Sequence, residues 1–304
     1  MVKIFTPAYG TALNYGSNIR VEEPLFAAAV FTNKYRREAL FHKTAEFLAM
    51  GIDSGRSIDA IATHTMRCSP NFIGKDNVVP FNMTAVEIAR RAREQYGRKE
   101  SILIFGDMSV MGDCYAQASL ASSVDEAVEY HLQQAVILKE AGVNALWAET
   151  VGNLTEAQAF AKIAEQLQMP LYISLVLDPC GNVLDGTPID ELVRRVDDCA
   201  SFSPRKYLTN CSWENQVEAM YKKAEESGVL HRLGGFYNNA SNMLHGDKQC
   251  LTAVQRYAGV AEYIQWVEKM LQRFPHLTQE EDVWISGCCG FGADDIDQIF
   301  KRIG

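Results

Sequence analysis

The sequence predicts an α/β protein in which eight short strands alternate with eight amphipathic helices. Two observations carry this prediction: apolar runs of strand length recur along the chain, and each is followed by a stretch with helical periodicity. No linker or low-complexity tract interrupts the succession. Most strand-plus-helix units span roughly 25–50 residues, which favours a (β/α)8 barrel with parallel strands inside and helices outside.

The predicted elements follow one another in a regular order. Strands are expected at residues 3–5, 60–63, 102–105, 145–148, 171–175, 207–208, 234–237 and 283–285. Helices are expected at residues 34–49, 85–95, 124–141, 156–167, 189–196, 215–227, 255–274 and 294–301. Gly142 and Gly228 follow two of these helices, as expected just after a helix C-cap. A doubly wound open sheet is the alternative, but it requires a sequence break and a glycine-rich phosphate turn, and the sequence has neither.

Two segments are longer than ordinary βα loops. Residues 12–32 are expected to form a lid over the barrel mouth, and residues 238–249 form a second long loop rich in Asn, Ser, His and Asp. We therefore expect residues 1–304 to form a single barrel domain with long βα loops at its C-terminal rim. The active sites of such barrels lie at that rim.

Composition excludes several classes of function. The chain is 47% hydrophobic and 22% charged, which is typical of a soluble globular protein. A net charge of -9 and a pI near 5.3 argue against nucleic acid or an anionic membrane as the main partner. No signal peptide and no apolar run of membrane-spanning length are evident, so we expect a cytoplasmic protein whose eight cysteines stay reduced.

Two adjacent cysteines near the C-terminus, in Gly287-Cys288-Cys289-Gly290, are the most unusual feature. Neighbouring side chains on a strand point to opposite faces, so both sulfurs can meet only where the backbone turns, which glycine permits. A disulfide between adjacent residues is strained. Two interpretations remain, a pair of packed thiols or two ligands of one metal, and the pair by itself favours packing.

The other strand ends change that balance. In chain order they carry Gly10-Thr11, His64-Thr65, Glu149-Thr150, Asn210-Cys211-Ser212, Asn238-Asn239 and Cys288-Cys289. Because parallel strands of a barrel end at one rim, Cys211 is expected to meet Cys288 and Cys289 there. Three thiolates suit a tetrahedral Zn²⁺ whose fourth position stays open. Such a site is a poor Lewis acid for water, but it suits an incoming thiol, which binds as a nucleophilic thiolate.

At these residues the chain resembles the homocysteine S-methyltransferases, a family of zinc-dependent (β/α)8 barrels. The resemblance covers nearly the whole chain. Its most specific motifs are Asn210-Cys211 and Gly287-Cys288-Cys289-Gly290. The supporting motifs are Gly10-Thr11-Ala12-Leu13, Thr63-His64-Thr65-Met66-Arg67, His131 with Leu138-Lys139-Glu140-Ala141-Gly142-Val143, and Ala148-Glu149-Thr150-Val151.

The resemblance implies roles for particular residues. Cys211, Cys288 and Cys289 would be the zinc ligands, Glu149 would bind the amino group of the acceptor, and Asn239 would approach the open zinc position. The expected substrate-contacting residues also include Gly10, Thr11, His64 and Thr150. Position alone also allows ordinary explanations: Glu149 as a solvated carboxylate, Asn239 as a turn residue, and His131 as a packing histidine on its helix.

Two departures from the family pattern affect the predicted substrate. Thr6 stands where the family has an aspartate that helps to hold the amino acid, and Asn238-Asn239-Ala240-Ser241 lacks the proline and glycine of the family motif. These departures leave room for a thiol other than homocysteine.

The resemblance and the predicted rim together indicate a zinc-dependent S-methyltransferase. It would move a methyl group from a small onium donor, such as S-methylmethionine, S-adenosylmethionine or a betaine, to a thiol, with homocysteine giving methionine. No glycine-rich nucleotide loop supports recognition of an adenosyl group. The alternative is a zinc- or thiol-binding homologue that has lost methyl transfer.

Overall fold

The computed structural model describes residues 2–6, 13, 25–53, 58–95, 101–116, 121–240 and 259–303. The strands in this part of the chain are β1 Lys3–Ile4, β2 Ala60–Ala62, β3 Leu103–Ser109, β4 Ala145–Val151, β5 Leu171–Leu175, β6 Lys206–Asn210, β7 Leu233–Asn238 and β8 Trp284–Gly287. The helices are Lys34–Asp53, Pro70–Ile73, Lys75–Gln95, Val124–Glu140, Leu154–Leu167, Ile189–Cys199, Glu214–Glu226, Val260–Arg273, His276–Gln279 and Ala293–Ile303, with 3-10 turns at Phe26–Thr32 and Leu230–Arg232.

The eight strands form one parallel sheet that closes into a ring. Their order is β1-β8-β7-β6-β5-β4-β3-β2, so each strand lies beside its neighbour in sequence and β1 lies beside β8. A parallel bridge between Phe5 and Ala60 joins the two ends, supported by the backbone hydrogen bond from Asp59 to Ile4 at 2.8 Å. The predicted (β/α)8 barrel is confirmed, and the open sheet is excluded because its end strands would not meet.

The inside of the barrel is filled rather than hollow. Aromatic rings from β3, β4 and β8 pack with Phe5 at the centre of the barrel. The ring of Phe105 stacks on that of Trp147 with centroids 5.3 Å apart, and the ring centroids of Phe5 and Trp147 are 4.8 Å apart. Trp284 meets Phe105 edge-on at 4.9 Å. These aromatic residues form a solid floor, so polar side chains further along the same strands are held at the C-terminal rim.

Several predicted boundaries were too short. β3 continues to Ser109 and β4 to Val151, so Glu149 and Thr150 lie inside a strand rather than after it. The reason is that the polar residues Asp107, Ser109 and Glu149 are part of the barrel wall, and strand pairing continues through them, with Ser109 opposite Glu149. Polarity in the sequence therefore marked the mouth of the barrel but not the end of the strand.

The second predicted helix, at residues 85–95, also starts earlier than expected. The helix Lys75–Gln95 includes Pro80, which sequence rules would place outside a helix interior. Burial of Val78 and Asn82, together with contact of the Phe81 ring with Phe31 at 5.5 Å, offsets the hydrogen bond lost at Pro80.

Within the described residues, no helix is both long and apolar enough to cross a membrane.

The two long loops fall largely outside the described residues. In the predicted lid, residues 26–32 form a 3-10 turn, whereas 14–24 are outside the description, as are 241–258 of the second loop and the start of the predicted helix at 255–274. Gly142 and Gly228 follow helix C-caps with φ of 89° and 79°, which confirms both predicted helix ends.

Candidate active site

Three cysteines meet where β6 and β8 end. The Sγ atoms of Cys211 and Cys288 are 3.3 Å apart, those of Cys288 and Cys289 are 4.0 Å apart, and all three lie within 4.8 Å of one another. Cys288 is buried, whereas Cys211 and Cys289 are partly exposed toward the rim. The structure therefore brings together the three cysteines that were predicted from separate stretches of sequence.

The backbone holds these cysteines in place. Cys211 has φ of 48°, a left-handed conformation that turns the chain sharply at the end of β6. The amide of Cys288 donates to the carbonyl of Asn238 at 2.9 Å, and the amide of Ala240 donates to the carbonyl of Cys289 at 2.8 Å. The side-chain oxygen of Asn239 accepts from the Cys289 amide at 3.2 Å. Asn239 thus fixes the loop that carries the cysteine pair.

Glycine is required beside the pair. Gly290 has φ of 89°, and a Cβ at this position would lie 2.9 Å from the Cβ of Ala240. A side chain here would strain the backbone and push apart the loops after β7 and β8.

The three thiols fit a tetrahedral metal. Zn–S bonds of about 2.3 Å in a tetrahedron place sulfurs about 3.8 Å apart. The observed Sγ separations of 3.3 and 4.0 Å lie on either side of that value. Hydrogen bonds with the thiols of Cys288 and Cys289, and then burial, raise the pKa of Cys211 well above its usual value. A bound cation reverses this effect by stabilising the thiolates.

Two carboxyl groups lie beside the sulfur cluster. Glu149 on β4 and Asp107 on β3 are hydrogen-bonded to each other, and Glu149 is also bonded to Tyr237. Burial, with the nearby Cys288 as the second cause, raises the pKa of Glu149 to about 8. Burial and the charge of Glu149 raise the pKa of Asp107 well above its usual value. Two adjacent buried carboxyl groups cannot both ionise readily without a cation between them.

Asn210 connects the carboxyl groups to the cysteines. Its side-chain nitrogen donates to Glu149 Oε1 at 3.2 Å and to Cys211 Sγ at 3.4 Å. Its side-chain oxygen accepts from the Ser174 hydroxyl at 2.9 Å and from the Thr150 amide at 3.2 Å. Those two donors fix the orientation of the amide, so its nitrogen must face the site.

The remaining predicted residues occupy different positions. Thr150 supports Asn210 through its amide, and its own hydroxyl donates to the Glu149 carbonyl at 2.7 Å. His64 is buried after β2, with its ring 6.3 Å from that of Phe31. Gly10 and Thr11 lie outside the described residues. Outside the site, His131 is fully buried and bonded to Glu156 at 2.6 Å, which agrees with its interpretation as a packing histidine.

Sequence reasoning missed Asp107 and the bridging role of Asn210. The sequence did carry a signal for Asp107. It follows Phe105 by two residues, so on a continuing strand it lies on the same face as that buried ring. No signal in the sequence indicated that Asn210 would reach both Glu149 and Cys211.

Comparison with known proteins places this arrangement in a family. The family profile described as homocysteine S-methyltransferase matches residues 4–303, nearly the entire chain. The chain belongs to the homocysteine S-methyltransferase family. It is therefore an S-methyltransferase, as the motifs around the cysteines predicted.

Relatives agree on this family at low identity. Homocysteine S-methyltransferase 2 of Arabidopsis thaliana is 23% identical over 242 residues, covering 72% of this chain and 69% of its own length. Homocysteine S-methyltransferase of Escherichia coli K12 is 25% identical over 190 residues, covering 59% and 56%. Selenocysteine methyltransferase of Astragalus bisulcatus is 22% identical, covering 71% and 68%.

Solved structures agree on the fold. The metallated form of the homocysteine methyltransferase MmuM from Escherichia coli superimposes with a TM-score of 0.74 at 18% identity, covering 100% of this chain and 96% of that one. The apo form of the same enzyme gives a TM-score of 0.69, covering 99% and 95%.

Proposed function

We propose that this S-methyltransferase methylates the thiol of homocysteine to give methionine, with a small onium compound as donor and Zn²⁺ held by Cys211, Cys288 and Cys289. The observation that carries the proposal is the cluster of three thiols joined to Glu149 through one amide, that of Asn210. This arrangement offers a sulfur-binding position and a cation-binding position side by side, which matches the two ends of an amino acid thiol.

The donor set supports zinc over other divalent cations. Three thiolates are soft ligands that select zinc, whereas magnesium and calcium prefer oxygen. A bound Zn²⁺ lowers the pKa of an incoming thiol, so that the acceptor is present as a thiolate at neutral pH. The thiols must stay reduced to serve as ligands, so we also propose a cytoplasmic location.

The residues of this chain would orient the acceptor. The Glu149 carboxylate accepts a hydrogen bond from the ammonium group of the acceptor. The side-chain nitrogen of Asn210 contacts both Glu149 and Cys211, so it fixes the position of that carboxylate relative to the cysteine. Asn239 holds the loop of Cys289, and the aromatic floor around Trp147 closes the barrel beneath the site. Orientation of this kind makes the reaction effectively unimolecular.

The methyl transfer itself needs no general acid. The acceptor sulfur forms a bond to the methyl carbon as the bond from that carbon to the donor's onium atom breaks, and the electron pair leaves with the donor. The donor becomes neutral, so no proton has to be delivered to it. We favour S-methylmethionine over S-adenosylmethionine, because no glycine-rich nucleotide loop occurs in the sequence.

A transfer assay tests this function. Purified zinc-loaded protein is incubated with homocysteine, cysteine or selenocysteine and with S-methylmethionine, S-adenosylmethionine or a betaine, and methylated products are measured by mass spectrometry. We expect homocysteine with S-methylmethionine to be the best pair. Cys288→Ser should lose zinc and activity, whereas Cys199→Ser, on the helix Ile189–Cys199 and outside the cluster, should keep both. Equal zinc content in the two variants, or no product with any pair, would contradict the proposal.

A further inference from the structure

The mouth of the barrel carries a second carboxyl group in addition to Glu149. Asp107 on β3 lies two residues beyond the floor residue Phe105, just as Glu149 lies two residues beyond Trp147 on the adjacent β4. Residues two apart on a strand share a face, so both carboxyl groups rise from the aromatic floor into the same space. Their side chains are hydrogen-bonded to each other.

Asp107 is buried and its hydrogen bonding is incomplete. It is only 6% exposed, and its Oδ1 has no hydrogen-bond partner among the residues that the structure describes. Within the same residues, no lysine, arginine or histidine forms an ion pair with Asp107 or Glu149. A buried carboxylate without a cation is costly. The pair of Asp107 and Glu149 is therefore suited to bind a cationic group of a ligand.

The position of the pair indicates which cation. The side-chain nitrogen of Asn210 donates to both Glu149 Oε1 and Cys211 Sγ. A single side-chain amide therefore bridges the carboxyl pair and the sulfur cluster. A thiol bound at the cysteines and an ammonium group bound at the carboxylates would then belong to one small molecule. An α-amino thiol has both groups within a few bonds, whereas the sulfonium of a donor must lie on the far side of the reacting methyl group.

Thr6, two residues after β1, does not supply a carboxylate here. It is buried, and its hydroxyl accepts a hydrogen bond from the Ala62 amide at 3.0 Å, which helps to join β1 to β2. Its side chain therefore serves the closure of the barrel. Among the described residues, Asp107 is the carboxyl group that is bonded to Glu149.

We propose that Asp107 and Glu149 together bind the ammonium group of the acceptor, and that Asp107 is the specificity-determining residue that makes this chain select amino acid thiols. The inference rests on the proposed function, because it takes the acceptor sulfur to bind at the three cysteines. Asp107 would contact substrate directly and serves no role in holding the metal.

Calorimetry with two thiols tests the role of Asp107. Zinc-loaded wild type, Asp107→Asn and Glu149→Gln are titrated with homocysteine and with 4-mercaptobutyrate, which is the same chain without its amino group. A charge-assisted hydrogen bond contributes enough that its loss should weaken homocysteine binding about 10- to 100-fold in each variant. Binding of 4-mercaptobutyrate should change less than about threefold, since it has no ammonium group to lose.

Controls separate this role from a structural one. Asp178→Asn, in the loop after β5, removes a carboxylate whose oxygen accepts from the amides of Cys180 and Asn182, and it should leave both thiol affinities unchanged. Zinc content and circular dichroism are measured for every variant. If Asp107→Asn does not fold, Asp107→Ser serves for the same comparison.

The outcomes distinguish this inference from the proposed function. Loss of discrimination between the two thiols in Glu149→Gln but not in Asp107→Asn would overturn the role of Asp107 while leaving methyl transfer to a thiol intact. A rise in the donor KM with an unchanged homocysteine Kd would also overturn it, because the pair would then serve the donor. If wild type binds neither thiol, the proposed function itself fails.

Discussion

Asn210 is the residue on which the candidate site depends most. One nitrogen serves a carboxylate and a sulfur, and the oxygen is held by Ser174 and the Thr150 amide. A fully bonded side chain of this kind has a single orientation, so the distance between the two halves of the site is fixed before substrate arrives.

Replacing that amide should weaken zinc binding at the proposed three-cysteine site. We expect Asn210→Ala to lower zinc affinity or methyl-transfer activity about 10- to 100-fold, since residues that support metal ligands have effects of this size. Zinc retention is measured by competition with a chromogenic chelator. Asn77→Ala, which removes an amide that donates to Ile73 on a distant helix, is the matched control. Identical retention in both variants would contradict the bridging role.

The carboxyl pair also predicts how stability depends on pH. Burial raises the pKa of Glu149 to about 8, so the folded protein binds this proton more tightly than the unfolded chain, whose glutamate has a pKa near its usual ~4.3. The free energy of unfolding should therefore fall as pH rises from about 4.3 to about 8. Urea unfolding of metal-free, reduced protein at several pH values measures this slope. Glu149→Gln should flatten it, and an unchanged slope in that variant would refute the assignment.

At the scale of elements, a buried pair ties two helices to a rim loop. His131 from the helix Val124–Glu140 bonds Glu156 from the helix Leu154–Leu167 at 2.6 Å, and both side chains are fully buried. The other oxygen of Glu156 accepts from the Met111 amide at 3.2 Å, in the loop that follows β3. This pair thus secures the segment just beyond Asp107.

Removing the shared carboxylate should destabilise the fold. We expect Glu156→Ala to lower the free energy of unfolding by about 3 kcal/mol or more, because it leaves a buried histidine and a backbone amide without their partner. Urea denaturation measures the change. Glu165→Ala removes a partly exposed carboxylate of the same helix, which accepts from the Ser201 amide at 2.7 Å, and it should cost much less. Equal losses would indicate that helix content, rather than the buried pair, determines the effect.

The stability of the whole molecule should be largely independent of the proposed zinc ion. The aromatic floor and the hydrophobic layer between strands and helices form an extensive core. Of the three clustered cysteines, only Cys288 belongs to the buried part of that floor, and Cys211 and Cys289 pack against it. A barrel of this size buries enough apolar surface to fold without a metal.

Chelation should therefore separate activity from folding. Removal of zinc with a strong chelator under reducing conditions should abolish methyl transfer and leave the far-ultraviolet circular dichroism spectrum unchanged. Adding zinc back should restore activity. Loss of the spectrum together with the metal would mean that the cysteines act as a structural centre, as in small zinc-dependent domains.

The sequence by itself determined the order of the elements, the closed barrel and the placement of cysteines at strand ends. These features follow from local periodicity and from the rule that parallel barrel strands end at one rim, so Cys211, Cys288 and Cys289 could be grouped before any distance was known. Family resemblance added Glu149 and the likeness to methyltransferases.

Only the tertiary structure decided which side chains contact one another within that rim. Alternation along β3 placed Asp107 on the inner face, but its contact with Glu149 depends on the register between β3 and β4. The reach of Asn210 to both Glu149 and Cys211 depends on the left-handed turn at Cys211 and on the bonds from Ser174 and Thr150. Register and side-chain orientation are set by closure of the whole ring, which no local stretch of sequence encodes.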